Sequence, residues 1–230
     1  MSKQQIQYRI RGEDVQIVEI GLPPSASVIA EPGAMVYMDN SVEMSVGVEG
    51  TVVQALLRRW TGESFLMPRF TNQGDQLAVV GFAAPFPGQV ISLRLPKLGG
   101  EIYCQKGSFL CATTDVGIDI GFTKKVGAGL FGRQGFILQR LHGQGLAFIH
   151  GGGTVIERDL EEGEVIRVDI SSLAAFSATV TYDVNFVGGL GNVFFAGEGK
   201  WITKLTGPGK VFIQSVPFSH MIDHIHSHKG

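Results

Sequence analysis

Four of the six histidines crowd the end of the chain, in His220-Met-Ile-Asp-His224-Ile-His226-Ser-His228. On a helix His220 and His224 stand one turn apart. Imidazoles at i and i+4 can chelate a borderline metal such as zinc or nickel, with Asp223 close enough to add an oxygen. The plainer reading is a docked terminal helix. Phe218, Met221, Ile222 and Ile225 fall at i, i+3, i+4 and i+7 on one face, Pro217 precedes them, and Ser219 is available as a cap. Chain ends also fray, which suits a fixed ligand geometry poorly. The expectation is a packing helix without a native metal, His220 and His224 being the candidate ligands.

Other residues of chemical interest carry less. Gly127-Ala-Gly129-Leu-Phe-Gly132 has the glycine spacing of dinucleotide sites. That chemistry needs a helix N-terminus directly after the glycines, to face the pyrophosphate. Phe136-Ile-Leu-Gln-Arg-Leu141 follows instead and reads as strand, and no Lys-Ser/Thr completes a phosphate loop. Asp159, Glu161, Glu162 and Glu164 surround Gly163 as a solvated turn rather than an acid/base pair. His142 and His150 flank a second glycine turn, Gly143-Gln-Gly145. Cys104 and Cys111 lack the spacing of a zinc site or a disulfide framework, and Cys111 reads as small apolar packing. Neither Gly-x-Ser-x-Gly nor His-Glu-x-x-His occurs. No catalytic residue and no cofactor are expected.

The elements that would position these residues are written into the chain three times. Leu141-His-Gly-Gln-Gly-Leu-Ala-Phe-Ile-His150 returns as Leu205-Thr-Gly-Pro-Gly-Lys-Val-Phe-Ile-Gln214, a shift of 64. The alternating run Val116, Ile118, Ile120, Phe122 returns at the same shift as Val180, Tyr182, Val184, Phe186. Val42, Met44, Val46, Val48 precedes it by 74. Further on, Gly62-Glu-Ser64, Arg133-Gln-Gly135 and Gly197-Glu-Gly199 align at shifts of 71 and 64. Between the first two copies the shift drops from 74 to 71 inside one loop, where length variation belongs. Two motifs keeping one shift make coincidence among glycine-rich sequences a poor explanation.

Period-two alternation predicts antiparallel strands with one packed and one wet face, Val42, Val116 and Val180 pointing inward at equivalent places. The 32 glycines support many short strands and tight turns. Gly143, Gly145, Gly207 and Gly209 read as turn residues needing positive φ or close backbone approach. The predicted fold is all-β: three β-sandwich or β-roll modules over 1–86, 87–160 and 161–215, sharing one compact unit, then a C-terminal helix and tail over 216–230. With 230 residues the chain should bury roughly 70% of its unfolded surface. A net charge of −2 and a pI near 6.3 supply no global field for nucleic acid or an acidic membrane. The N-terminus has no apolar core of a signal peptide, and no stretch reaches the ~18 apolar residues of a span, so a cytoplasmic protein is expected.

Three loops at equivalent module positions are apolar where loops are usually polar. They are Val52-Val-Gln-Ala-Leu-Leu-Arg-Arg-Trp60, Lys124-Lys-Val-Gly-Ala-Gly-Leu-Phe-Gly-Arg133 and Gly188-Gly-Leu-Gly-Asn-Val-Phe-Phe195. Either their bulky residues fold back over the sandwich, or Leu56, Leu57, Trp60, Leu130, Phe131, Phe194 and Phe195 form an exposed patch. In the second case Arg58, Arg59, Lys124, Lys125 and Arg133 add cations. Such a face suits a partner subunit, another protein or a membrane surface.

Gly33-Ala-Met, Gly62-Glu-Ser-Phe-Leu-Met67, Gly143-x-Gly-x-x-Phe, Gly197-Glu-Gly199 and Gly207-Pro-Gly-Lys-Val-Phe-Ile-Gln214 together resemble a widespread bacterial family of uncharacterised proteins. That family is related to fungal altered-inheritance-of-mitochondria proteins. The resemblance runs through nearly the whole chain in order. It implies tandem β-sandwich units grouped with the fold of the tryptophan RNA-binding attenuation protein, and fungal relatives that organise the mitochondrial inner membrane and its respiratory complexes. It brings no catalytic residues. The histidine-rich tail and the histidines of the second turn depart from it. The functional expectation is a non-enzymatic scaffold or interaction protein, homo-oligomeric, with a membrane-peripheral place open to it through the apolar loops. The alternative is a small-ligand or RNA-binding module by fold analogy, although no basic-aromatic stripe for single-stranded RNA is present. A metal-dependent enzyme at the tail ranks last.

Overall fold

The computed structural model describes residues 6–46, 67–124, 136–187 and 200–227. After β1 (Gln7–Arg11), the described strands fall into three runs of six. The first is β2 (Ile17–Leu22), β3 (Ser27–Ala30), β4 (Met35–Met38), β5 (Val42–Ser45), β6 (Arg69–Asn72) and β7 (Ala78–Ala83). The second is β8 (Gly88–Arg94), β9 (Glu101–Gln105), β10 (Phe109–Thr113), β11 (Val116–Lys124), β12 (Phe136–Gly143) and β13 (Leu146–Gly152). The third is β14 (Val155–Leu160), β15 (Val165–Asp169), β16 (Leu173–Ser177), β17 (Thr181–Val187), β18 (Lys200–Thr206) and β19 (Gly209–Gln214). One α-helix, α1 (Phe218–Ser227), follows. The chain is all-β, as its alternation predicts, with a short C-terminal helix, as the spacing of Phe218, Met221, Ile222 and Ile225 predicts.

One pairing scheme serves all three runs. The first, sixth and third strands pair in one antiparallel set, and the fourth, fifth and second in another. Two strand ladders join the runs among the described residues: β3 pairs β10, and β9 pairs β16. The result is two six-stranded sheets, β5-β6-β3-β10-β13-β8 and β11-β12-β9-β16-β19-β14. They are flanked by β1-β2-β7-β4 and β15-β18-β17.

Shared sheets must be apolar on both faces, which explains the uninterrupted apolar runs. Along β13, Leu146 and Phe148 enter the first core while Ala147 and Ile149 enter the second. In β16, Ala174 and Ala175 face the second core, Leu173 and Phe176 the third. Two consecutive alanines can face one side because a bulge between Leu173 and Ala175 breaks the alternation. The same bulge stands between Phe109 and Cys111 and between Met35 and Tyr37. Cys111 and Cys104 are fully buried, and burial pushes the Cys104 thiol up to about 12 and Cys111 well above its usual range. They pack rather than react.

Register follows the repeat closely. Val42 opposes Asn72 and Val116 opposes Gly143, so the first strand of the hairpin shifts by 74 and its return strand by 71. The change of length therefore lies between those strands. Thr181 opposes Thr206, which places Val180 beside Gly207. Val42, Val116 and Val180 are all buried. The structure adds a length change the sequence hides. Tyr37 opposes Gly81 while Cys111 opposes Phe148, so β7 and β13 are related by 67, and the turn after β6 is four residues longer than its counterpart.

The predicted inward row is corrected in part. Met44 is 47% and Val46 61% exposed, and Ile120 is 36% exposed. In the third hairpin Val184 is buried and Tyr182 half-buried. The first core takes only Val42 from β5, so the first hairpin outruns the apolar surface facing it. Val48, like the glycine pattern at 127–132, lies outside the described residues, but the residues after that pattern form strand β12, as expected.

The turn glycines divide between two causes. Gly143 and Gly209 have φ of +129° and +138°. Gly145 and Gly207 are required by contact instead: a Cβ would lie 2.3 Å from Thr113 Oγ1 at Gly145 and 2.2 Å from the Glu161 carbonyl oxygen at Gly207. At Gly209 a Cβ would also stand 2.5 Å from Thr179 Oγ1. Replacing Gly209 by Val should therefore destabilise the protein by at least ~1 kcal/mol in a denaturant melt. An unchanged melt would show the turn to be permissive.

Candidate functional site

The predicted interaction loops bring little structure to bear. Leu56, Leu57, Arg58, Arg59, Trp60, Lys125, Leu130, Phe131, Arg133, Phe194 and Phe195 lie outside the described residues. Lys124 closes β11. The hairpin strands leading towards these segments present Met44, Val46 and Ile120 to solvent. Val46 and Ile120 occupy the same place in successive runs, 74 residues apart.

The terminal histidine makes a contact that its spacing does not foretell. His220 Nε2 lies 2.9 Å from Ser171 Oγ, and that hydroxyl also bonds Asp169 Oδ1. Ser171 sits in the 3₁₀ turn Ile170–Ser172, where Asp169 caps the Ser171 N–H at 2.9 Å. A hydroxyl carries one proton and a carboxylate only accepts. Ser171 therefore donates to Asp169 and receives from His220 Nε2–H. The order acid–alcohol–imidazole is not that of a nucleophile triad, in which the imidazole takes the alcohol's proton and the acid holds the imidazole. Here the histidine ties α1 to the body.

α1 is held a second way. Phe218 stacks on Phe86 at 5.0 Å, and Phe86 meets the His150 ring edge-on at 4.7 Å. Ser219, expected as a cap, instead has a buried hydroxyl without a hydrogen-bond partner. The side chain of His224 lies outside the described residues, and no group of three or more His, Cys, Asp or Glu gathers for a metal among those described.

His150 is 2% exposed, and burial holds its pKa down at about 4, against a hydrogen bond with the Gly88 backbone that favours the proton. A Cβ on Gly88 would stand 2.8 Å from His150 Nε2 and 2.1 Å from the Gly151 carbonyl oxygen, so only glycine fits. Gly88 also bridges Val15 on one side and Gly153 on the other, at the meeting point of the three runs. The neutral imidazole is a wedge at that junction. Beside it lies an open cleft of about 390 Å³ lined by Ile10, Gln16, Gln89, Ser92, Val155, Glu157 and Phe212, among others. Gln16 Oε1 and Gln89 Oε1 accept from the Val90 and Val155 N–H groups, both at 2.8 Å, repeating one contact in two runs.

His142 stands apart from this junction. Its Nε2 is 3.0 Å from Asp119 Oδ2. Arg140 reaches Glu101 at 2.7 Å and Asp119 at 4.0 Å, and its guanidinium holds the Glu101 carboxyl below its usual range. The register Val116↔Gly143 places Asp119 opposite Arg140, so strand pairing read from the repeat would have found this cluster. It lies on a water-facing sheet surface, where screening leaves such pairs little energy. The acidic run forms a solvated turn: Gly163 has φ +76°, Arg158 pairs Glu164 at 3.0 Å, and Lys210 bridges Glu157 and Asp159.

The sequence pattern of the family described as mitochondrial biogenesis AIM24 matches residues 8–216. The chain belongs to the AIM24 family. An uncharacterised protein of Streptococcus pyogenes serotype M6 is 27% identical over 215 residues, covering 90% of this chain and 84% of the relative. A crystal structure of a Streptococcus pyogenes protein aligns at a TM-score of 0.77 with 21% identity, over 97% of this chain and all of that one. That likeness shows the fold alone. The AIM24 match ends at Val216, just before α1, so the histidine tail lies beyond the matched region.

Two outcomes follow from the histidines. His150 is neutral in the fold and free to protonate at its ordinary value when unfolded, so stability falls as pH drops from about 6.5 to about 4. The difference amounts to about 3 kcal/mol, and His150→Gln, the residue type at the equivalent Gln214, should lose that slope in urea melts at pH 7 and 4.5. His220→Ala should speed amide exchange in α1 while leaving the zinc and nickel content of untagged protein unchanged. A stoichiometric metal lost with His220 and His224 would refute the docking role.

Proposed function

We propose that this AIM24 protein is a non-enzymatic interaction scaffold that engages a membrane surface or a membrane-bound protein through its hairpins. The observation that carries the reading is the exposure of Val46 and Ile120 at one register position of successive runs, beside Met44. These strands lead towards segments rich in bulky apolar and cationic residues, the composition of a surface that rests on anionic lipid. Supporting it, the groups best equipped for chemistry already have structural work. Ser171 and His220 fasten the helix, His150 wedges the junction, and the thiols are buried. No helix of the described residues is long and apolar enough to cross a membrane, so attachment in this reading is peripheral.

A second reading, a small-ligand module, is favoured by one feature: the cleft where Gln16, Gln89, Ser92 and Glu157 converge beside Phe212. Ligand pockets pair apolar walls with a few convergent polar groups in this way. The likeness to the attenuation protein's fold, and any RNA binding drawn from it, belongs with this alternative.

Flotation with vesicles containing an anionic lipid tests the scaffold reading. The wild type should float with them, and Met44→Ser, Val46→Ser and Ile120→Ser together should release it while the melt stays near the wild type. The set Leu57→Ser, Phe131→Ser and Phe194→Ser should do the same. A wild type that ignores vesicles and recovers no membrane protein from native lysate would overturn the proposal.

A further inference from the structure

The cross-links between runs leave one strand edge over at each end. In the interior, the third strand of a run pairs with the second strand of the run before it, as in β10–β3 and β16–β9. The registers agree across the repeat. Cys111 opposes Ala30 and Ala175 opposes Cys104, the third strands being shifted by 64 and the second strands by 74. By the same rule, among the described residues β4 has no second strand to its outside and β15 has no third. Each is the outermost strand of its sheet.

The side chains on these two edges differ from their interior counterparts in exposure. Cys111 and Ala112 are buried, whereas Tyr37 and Met38, their equivalents on β4, are 38% and 37% exposed, and Val36 is 57% exposed. On β15, Val165 is 45% exposed and Arg167 is exposed. β4 reads Met-Val-Tyr-Met, an uncharged edge strand of the kind that pairs unless it is covered. Its bulge between Met35 and Tyr37, against β7, does not block pairing on the other edge, since β10 and β16 carry the same bulge and still pair β3 and β9 there.

We infer that β4 of one chain pairs with β15 of a second copy, extending the interior cross-link from chain to chain. Continuing the two shifts sets the register: Tyr37 opposite Val168 and Met38 opposite Arg167, antiparallel. Asp39 N donates to the Val79 carbonyl inside the sheet at 2.9 Å, so the neighbouring Met38 N–H faces the open edge by alternation. The interior pair equivalent to Met38 and Arg167 is Phe176 opposite Tyr103, whose rings stack at 5.6 Å. Met38 and the Arg167 stem supply a flexible version of that contact. Because the two edges differ, the contact is head to tail, and copies assemble as a closed ring or a filament.

This inference adds a partner to the scaffold reading but uses none of the hairpin residues. Sedimentation velocity over a concentration series of the full chain should show reversible association. Met38→Lys sets two cations opposite each other and should weaken it about tenfold or more. Met38→Lys with Arg167→Glu should restore it, and each single variant should keep a wild-type melt and wild-type vesicle flotation. A wild type that stays monomeric at every soluble concentration overturns the inference. So does association indifferent to Met38→Lys, or one not rescued by the double variant. A monomer whose Met38 amide is protected from exchange would also sink it, by showing the edge covered within one chain.

Discussion

Everything in this molecule depends on main-chain hydrogen bonds between runs, β3 to β10 and β9 to β16. Because those ladders make the middle sheets continuous, the strands beside them are covered on both faces. That favours apolar side chains on both faces. Ala30, Cys111, Ala112, Cys104 and Ala175 stand at the two seams and are buried. Each of these side chains faces one core, Ala30 and Cys111 the first and Ala112, Cys104 and Ala175 the second, and a close-packed interior has little room to yield to a larger residue there. The seams hold bulky side chains as well: Phe176 opposes Tyr103 across the second seam and faces the third core, while Phe148 stands one strand away from the first seam and faces the first core.

The polar residues that look chemical take their meaning from the same frame. Gln214 is buried, with its amide donating to Gln105 Oε1 and the Ser171 carbonyl while Gly152 N–H donates to its oxygen. Asn72 does comparable work in the first run, donating to the Leu22 and Gln76 carbonyls. Such groups keep buried backbone atoms satisfied where turns interrupt the ladders. His150, between Gly88 and Phe86, is the one imidazole taken fully inside among the described residues, and it is kept uncharged by the apolar packing around it.

Much of the fold was legible because repetition converts sequence shifts into strand register. The shifts of 74 and 71 correspond to Val42↔Asn72 and Val116↔Gly143. The run Phe109-Leu-Cys-Ala112 was readable as packing but not as a strand serving two cores, because a doubly buried strand loses its alternation. The longer turn after β6 is not legible, since turn residues there share no motif with the other copies. Alternation also overstated burial at Met44 and Val46, for a period of two says which face a residue takes and not whether anything lies opposite. The contact of His220 with Ser171 joins residues 49 apart through a helix end and a 3₁₀ turn. No local spacing encodes it.

The shared cores also dictate how the chain can come together during its own synthesis. The first core is not built from the first run alone, since it takes Val90 from β8, Leu110 and Cys111 from β10, and Leu146 and Phe148 from β13. A nascent chain that has delivered β2 to β7 still lacks one wall of that core. It must wait for residue 148 to clear the ribosome before its earliest apolar residues are fully enclosed, and meanwhile β3 offers a bare edge. Domains ordinarily fold one after another as they emerge. Here completion of the first core depends on translation of the second run, so a pause between them would expose an unfinished sheet rather than a finished unit.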